Sequence, residues 1–363
     1  MRFMKAWRNI HHGGKRRDGA IAADKRKEDM IDFSVNVTPL GIPENIRRAM
    51  EESLSRAGWY PDDSKRNLKE ALNRKYGLPA ENICVGNGAS DLIFRTVFAL
   101  RPKRALVLAP TFAEYEAALR CVNGQIEYYQ INHGDFQVKA DICGQIRPET
   151  DVVFLCNPNN PTGLLMSKDF LISVLKRCEA TETWMVVDEC FLEFVRQGER
   201  YSMIGELMAH SKLLVLKSFT KMFGIAGLRL GYLLCGEEGL GERIDKFGCD
   251  WNVNCVAEAA GLEALKSADY ESKVLAYVES EREWLYEELV RLGLKVVPGQ
   301  ANYLLFKVSC GDREPLGDWL LRQGIMLRCC DDYENLNENF YRIGINTHEA
   351  NKTLIEKIGE WLK

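Results

Sequence analysis

Short apolar runs bounded by turn residues alternate along the chain with segments of helical periodicity. Residues 83–85, 105–108, 126–131, 152–155, 185–187, 213–216 and 230–234 read as seven strands. They are mainly continuous apolar runs rather than alternating ones, which means burial on both faces, and the patterns at 91–100 and 168–178 supply crossover helices. The pattern predicts an α/β fold with an open, mostly parallel seven-stranded sheet. From about residue 256 to 292 the chain becomes a long charged helix with apolar positions at Leu262, Leu265, Val274, Leu275, Val278, Trp284, Leu285, Leu289 and Leu292, and a break near Asp269. Strands follow at 295–297, 302–308, 325–329 and 340–345, then a terminal helix at 348–362, which together predict a smaller α+β domain. Pro39, Gly41 and Pro43 mark where an N-terminal arm ends, so the expected organisation is an arm at 1–45, a large domain at 46–255, and a linking helix with a small domain at 256–363.

Composition narrows the function. The chain has 363 residues, with 48 Lys plus Arg against 52 Asp plus Glu, and its net charge of -4 gives no bulk attraction for nucleic acid. No apolar run approaches the roughly 18 residues that suggest a membrane helix, so no membrane partner is expected. The first 17 residues carry six basic and no acidic side chains but lack the apolar stretch of an export signal, and read as a basic arm. The 12 cysteines include no C-x-x-C pair, and with five histidines there is no metal-ligand spacing. Free thiols and a cytoplasmic setting are expected, and no metal.

The strongest chemical signal is Ser218-Phe219-Thr220-Lys221 after a buried strand, continuing to Gly227-Leu228-Arg229. A lysine near the carboxyl end of a strand stands where open α/β sheets build their sites, and two hydroxyls and an arginine beside it suit a phosphate. These are the parts of a Schiff-base site, although a lone S-x-x-K is more often a solvated loop lysine. Two further segments shift the balance: Val187-Asp188-Glu189 puts a carboxylate at another strand end, and Asn157-Pro158-Asn159-Asn160-Pro161-Thr162-Gly163 follows a third. A nucleotide-binding oxidoreductase also uses a parallel sheet, but Gly86-Asn87-Gly88 lacks the third glycine of G-x-G-x-x-G.

The order Gly86-Asn87-Gly88-Ala89-Ser90, the Asn-Pro turn, Asp188, Lys221 and Arg229 resembles the aminotransferase class I/II family of fold-type I pyridoxal 5′-phosphate (PLP) enzymes, over nearly the whole chain. The resemblance implies PLP as cofactor and a role for each matching residue. Lys221 would bind the cofactor covalently and then act as acid and base; Asp188 would pair with the ring nitrogen; Asn160 would bond the ring oxygen; Phe112 would stack on the ring. Gly88, Ala89, Ser90, Ser218, Thr220 and Arg229 would hold the cofactor phosphate, with Tyr60 reaching it across a homodimer interface. Arg342 would hold a substrate carboxylate. A turn tyrosine and a surface arginine are the plain alternatives for Tyr60 and Arg342. A PLP-fold binding module without turnover is a third possibility, disfavoured by the retained lysine, aspartate and arginine.

Within the family, His12-Gly13-Gly14 and the arm segment 31–41, with Asn36, resemble the branch that decarboxylates L-threonine O-3-phosphate in cobalamin biosynthesis; histidinol-phosphate aminotransferases are the near relatives. In that branch His12 and Arg328 would meet the phosphate of a small phosphorylated amino substrate. Phe191 favours the decarboxylases, because the aminotransferase branch usually carries there a tyrosine whose hydroxyl bonds the cofactor. Lys15 and Thr38 depart from the decarboxylase arm pattern.

Overall fold

A computed structural model describes residues 29–131, 134–309 and 311–363. The chain enters through a two-residue strand, β1 (Ile31–Asp32). A seven-stranded sheet then forms from β2 (Ile83–Gly86), β3 (Arg104–Ala109), β4 (Gln125–Gln130), β5 (Val152–Cys156), β6 (Trp184–Asp188), β7 (Leu213–Ser218) and β8 (Gly231–Cys235). All seven predicted strands are present, in the order β2-β8-β7-β6-β5-β3-β4. β8 alone runs antiparallel to both its neighbours. Between β7 and β8 the chain makes a tight loop and one 3₁₀ turn (Ala226–Leu228), without the helix that usually carries a parallel crossover.

The central strands β5 and β7 are buried along their whole length, and β6 from Met185 onward, as their continuous apolar sequences require. They are adjacent and parallel, with Cys156 opposite Asp188 and Asp188 opposite Leu216. Their carboxyl ends therefore open together on one edge of the sheet.

The predicted helix at 256–292 is two helices, Cys255–Ala264 and Ala268–Arg291, the first capped by the Asn254 side chain on the Ala257 N–H at 2.8 Å. A second, antiparallel sheet holds β9 (Lys295–Val296), β10 (Tyr303–Lys307), β12 (Arg328–Cys329) and β13 (Phe340–Gly344) in the order β12-β13-β10-β9. The single strand expected at 325–329 is divided: β11 (Ile325–Met326) pairs in parallel with β1, and only β12 joins the sheet. The divided strand thus serves two partners. The pairing of β1 with β11, continued by the Phe33 N–H on Met326 O and the Gly344 N–H on Phe33 O, ties the described end of the arm to this smaller sheet. The helix Glu44–Ser53 begins after Pro43, just before the arm's expected end.

Candidate active site

A cavity of about 370 Å³ lies at the carboxyl edge of β5, β6 and β7, and its lining includes Asn36, Phe112, Asn160, Asp188, Lys221 and Arg342. Asp188, the last residue of β6, is 5% exposed. Its Oδ2 accepts the Tyr115 hydroxyl at 2.6 Å and its Oδ1 the Cys190 N–H at 2.9 Å. Tyr115 is fully buried, stacked on Phe154 at 5.0 Å and edge-on to Phe112 at 5.7 Å. Burial, and then the Asp188 charge, push the Tyr115 phenol well above its ordinary range, so it stays a donor. Among the described residues no cation pairs with Asp188, which leaves a carboxylate held by neutral donors at the cavity wall.

Lys221 follows β7 in the loop. Its Nζ lies 3.3 Å from Ser218 Oγ and 5.6 Å from the centre of the Phe191 ring, with no carboxylate partner among the described residues. Ser218 and Thr220 bond each other through their hydroxyls at 2.8 Å. Nearby the helix Ala89–Leu100 begins at Gly88 with no side-chain cap, leaving its first backbone N–H groups to the cavity. Gly88 has φ of +90°, and a Cβ there would stand 2.7 Å from Arg229 Nη2. Glycine at this position thus lets the guanidinium lie against the helix start.

Arg342 on β13 is buried. Its Nη1 donates to Asn160 Oδ1 at 2.7 Å and its Nη2 to Ser34 O at 2.9 Å, while Nε has no partner among the described residues. Because guanidinium only donates, the contact fixes the Asn160 amide with its oxygen toward Arg342 and its NH₂ as the remaining donor. Asn36 Oδ1 is also buried without a partner among the described residues. Arg342 itself has no acidic partner there, so its charge is uncommitted.

PLP fits this donor set. The helix start and Arg229 form a cradle for a phosphate, the buried Asp188 faces the cavity as acceptor for a protonated ring nitrogen, Asn160 offers an N–H, and Lys221 brings an amine. Phe112 contributes an aromatic wall.

Not every expected residue joins the cavity. Gly88, Ser218 and Thr220 are outside the lining, Ser218 bordering a neighbouring cavity, and Arg328 is outside it too and engages Asp332. Tyr60 is 79% exposed and stacks on Trp251 at 4.5 Å, away from the other site residues, and is not the buried turn tyrosine of the plain alternative. His12 lies outside the described residues. Sequence reasoning missed Tyr115, Tyr333 and Asp332; only Tyr115 carried a signal, an aromatic side chain three residues after Phe112. A second cavity of about 330 Å³ borders Lys217, Glu193, Tyr76 and Tyr232, but Lys217 is paired with Glu193 at 2.7 Å and neither Lys221 nor Asp188 lines it. Among the described residues no cluster of His, Cys, Asp or Glu could hold a metal ion, and no helix is long and apolar enough to cross a membrane.

Comparison with known proteins agrees with this geometry. The chain is 34% identical over 349 residues to threonine-phosphate decarboxylase of Salmonella typhimurium, covering 96% of this chain and 95% of the relative. It is 30% identical to histidinol-phosphate aminotransferase of Moorella thermoacetica over 92% of this chain and 86% of that one. The solved histidinol-phosphate aminotransferase of Clostridium acetobutylicum superposes with a TM-score of 0.85 at 29% identity, over 92% of this chain and 99% of that one. The model of the family aminotransferase class I and II matches residues 28–358, and the chain belongs to that family of PLP-dependent enzymes.

Proposed function

We propose that the protein decarboxylates a phosphorylated amino acid, L-threonine O-3-phosphate. The observation that carries this is the meeting at one cavity of a lysine amine, a buried carboxylate held by neutral donors, and a buried arginine without an acidic partner. The first two serve the cofactor, and the third is an anchor for a substrate carboxylate.

In this reading Lys221 would hold the cofactor aldehyde, Asp188 the ring nitrogen, Asn160 the ring oxygen and Phe112 the ring face. Ala89, Ser90, Ser218, Thr220 and Arg229 hold its phosphate, with Gly88 giving them room. Bound there, PLP supplies a cationic ring that takes up the electrons of the bond broken at the substrate Cα. Arg342 would hold the substrate carboxylate. Asn36 lies beside it as a polar contact. Once the substrate's amine has displaced it from the cofactor, Lys221 Nζ would be the acid that gives a proton to Cα in place of the departing CO₂. Arg328 and His12 meet the substrate's phosphate.

Two facts support decarboxylation over transamination: the 34% identity to a decarboxylase over nearly the whole chain, and Phe191, which puts a ring without a hydroxyl under Lys221. The exposed Tyr60 and Trp251 support a homodimer in which Tyr60 reaches the other copy's cofactor phosphate. The β1–β11 pairing supports an arm at 1–45 that closes on the domain at 256–363, the large domain being 46–255. The free thiols of the described cysteines support a reducing, cytoplasmic setting.

The test is to give the PLP-loaded protein L-threonine O-3-phosphate alone and, separately, histidinol phosphate with 2-oxoglutarate. CO₂ release without an oxo-acid is the expected result. Glutamate formation without CO₂ would make the protein a histidinol-phosphate aminotransferase instead.

A further inference from the structure

Arg328 and Arg342 are directly opposed on β12 and β13, so their side chains leave the same face of the small sheet. They are neutralised very differently. Arg342 has no acidic partner among the described residues, whereas Arg328 Nη2 lies 2.8 Å from both carboxylate oxygens of Asp332. The two side chains of that pair are only 7% and 6% exposed. Tyr333, the next residue, stands between the arginines. Its ring lies 5.2 Å from Arg328 Cζ, and its hydroxyl 3.4 Å from Arg342 Nη1 and 3.3 Å from Asn160 Oδ1. One loop therefore links both cations to the cavity.

We infer that Asp332 determines specificity: its carboxylate occupies Arg328, so that a ligand must bring a dianionic phosphate to draw the guanidinium into the substrate site. The inference rests on the reading that Arg328 meets the substrate's phosphate. A carboxylate offers two oxygens and one charge, a phosphate ester three oxygens and nearly two charges. A carboxylate four residues away acts on its arginine at a high effective concentration, which a singly charged group in solution does not match. The pair thus rejects unphosphorylated or singly charged analogues by leaving them nothing to bind. Without Asp332, Arg328 would be a buried cation lacking its counter-ion, open to any anion.

The experiment uses the full-length, PLP-loaded protein, whose cofactor fills the other phosphate cradle, and titrates inorganic phosphate and formate by calorimetry and by thermal stabilisation. Asp332→Asn is expected to bind phosphate about tenfold more tightly, the size of one lost competing charge contact, and to acquire formate binding absent from the wild type. Asp332→Glu should keep wild-type behaviour, and Arg328→Gln should lose phosphate binding. If Arg328→Gln loses it but Asp332→Asn binds phosphate no more tightly than wild type, the role of Asp332 is overturned and the phosphate reading survives. If Arg328→Gln keeps wild-type affinity, the phosphate reading falls, and the inference with it. Should Asp332→Asn be unstable, its melting temperature must rise more steeply with phosphate than that of the wild type, because the anion then replaces the missing charge; an equal slope overturns the inference.

Discussion

Asp188 and Arg342 line one cavity and are held in different ways. Asp188 ends a strand buried in the middle of the seven-stranded sheet, and its donors come from the next few residues and from a helix packed beside it. Arg342 sits inside a strand of the small sheet, and its two shortest hydrogen bonds go to Ser34, 308 residues away in the arm, and Asn160, 182 residues away across the cavity, with the nearby Tyr333 hydroxyl at 3.4 Å. One wall is positioned by the strands' own backbone. The other exists only when arm, Asn-Pro turn and small sheet meet. The difference divides the labour: the rigid wall suits a cofactor that stays, and the assembled wall suits a substrate that must enter and leave.

The sharpest way to break that division is at Lys221. Lys221→Ala should lower kcat by about 10⁴ or more, as loss of a nucleophile and its proton transfer does. Covalent attachment of PLP, read from the absorption spectrum, should vanish while phosphate binding at Arg328 persists. Loss of both together would show that the two walls are not independent. Arg342→Gln should be next in size, with kcat/KM falling roughly 10²-fold or more, about the cost of truncating one partner of a charged hydrogen-bonded pair. Its affinity for PLP should stay at the wild-type value, measured by titrating the apoprotein. Weakened PLP binding in this variant would place Arg342 on the cofactor's side of the comparison.

Tyr115→Phe probes the rigid wall itself. The Tyr115 hydroxyl is the buried donor to Asp188 Oδ2, and its removal leaves that oxygen without this partner, at a cost of about 1–3 kcal/mol. Denaturant unfolding of the apoprotein should show a loss of that size. No measurable loss would mean that the carboxylate does not depend on this bond.

The two walls were also unequally legible in the sequence. Lys221, Asp188 and Asn160 each follow or end an apolar run, so a pattern of buried strands already places them on one edge of a sheet. The seven strands were readable for the same reason, although the antiparallel course of β8 was not, because a strand's sequence carries its burial and not its direction. Tyr115 stands on the short helix Glu114–Cys121, and its hydroxyl's target, Asp188, is 73 residues away on β6, a pairing that no local pattern states. Asp332 and Tyr333 belong to an irregular loop with no periodicity; Asp332 meets Arg328 four residues away, but Tyr333 reaches Arg342 on β13 only once β12 and β13 are set in register. The division of 325–329 between two sheets was hidden too, since an apolar run does not reveal how many partners it serves. The role proposed for Tyr60 needs a second copy of the chain, which one chain's sequence does not describe.

The smallest effect expected is one of reagent selectivity. Cys156 and Cys190 line the cavity beside Asp188, and burial, reinforced by the Asp188 charge, pushes both thiols above their ordinary pKa. Thiolate is the reactive form, so both should resist iodoacetamide at pH 8. Cys121 and Cys249 are exposed and should be alkylated under the same conditions. Mass mapping of the native, PLP-loaded protein should find label at those two positions and none at Cys156 or Cys190, with activity unchanged. Label at Cys190 together with loss of activity would show that the strand-end wall opens to solvent on the timescale of the reaction, and the contrast between a fixed cofactor wall and an assembled substrate wall would then fail at its firmer side.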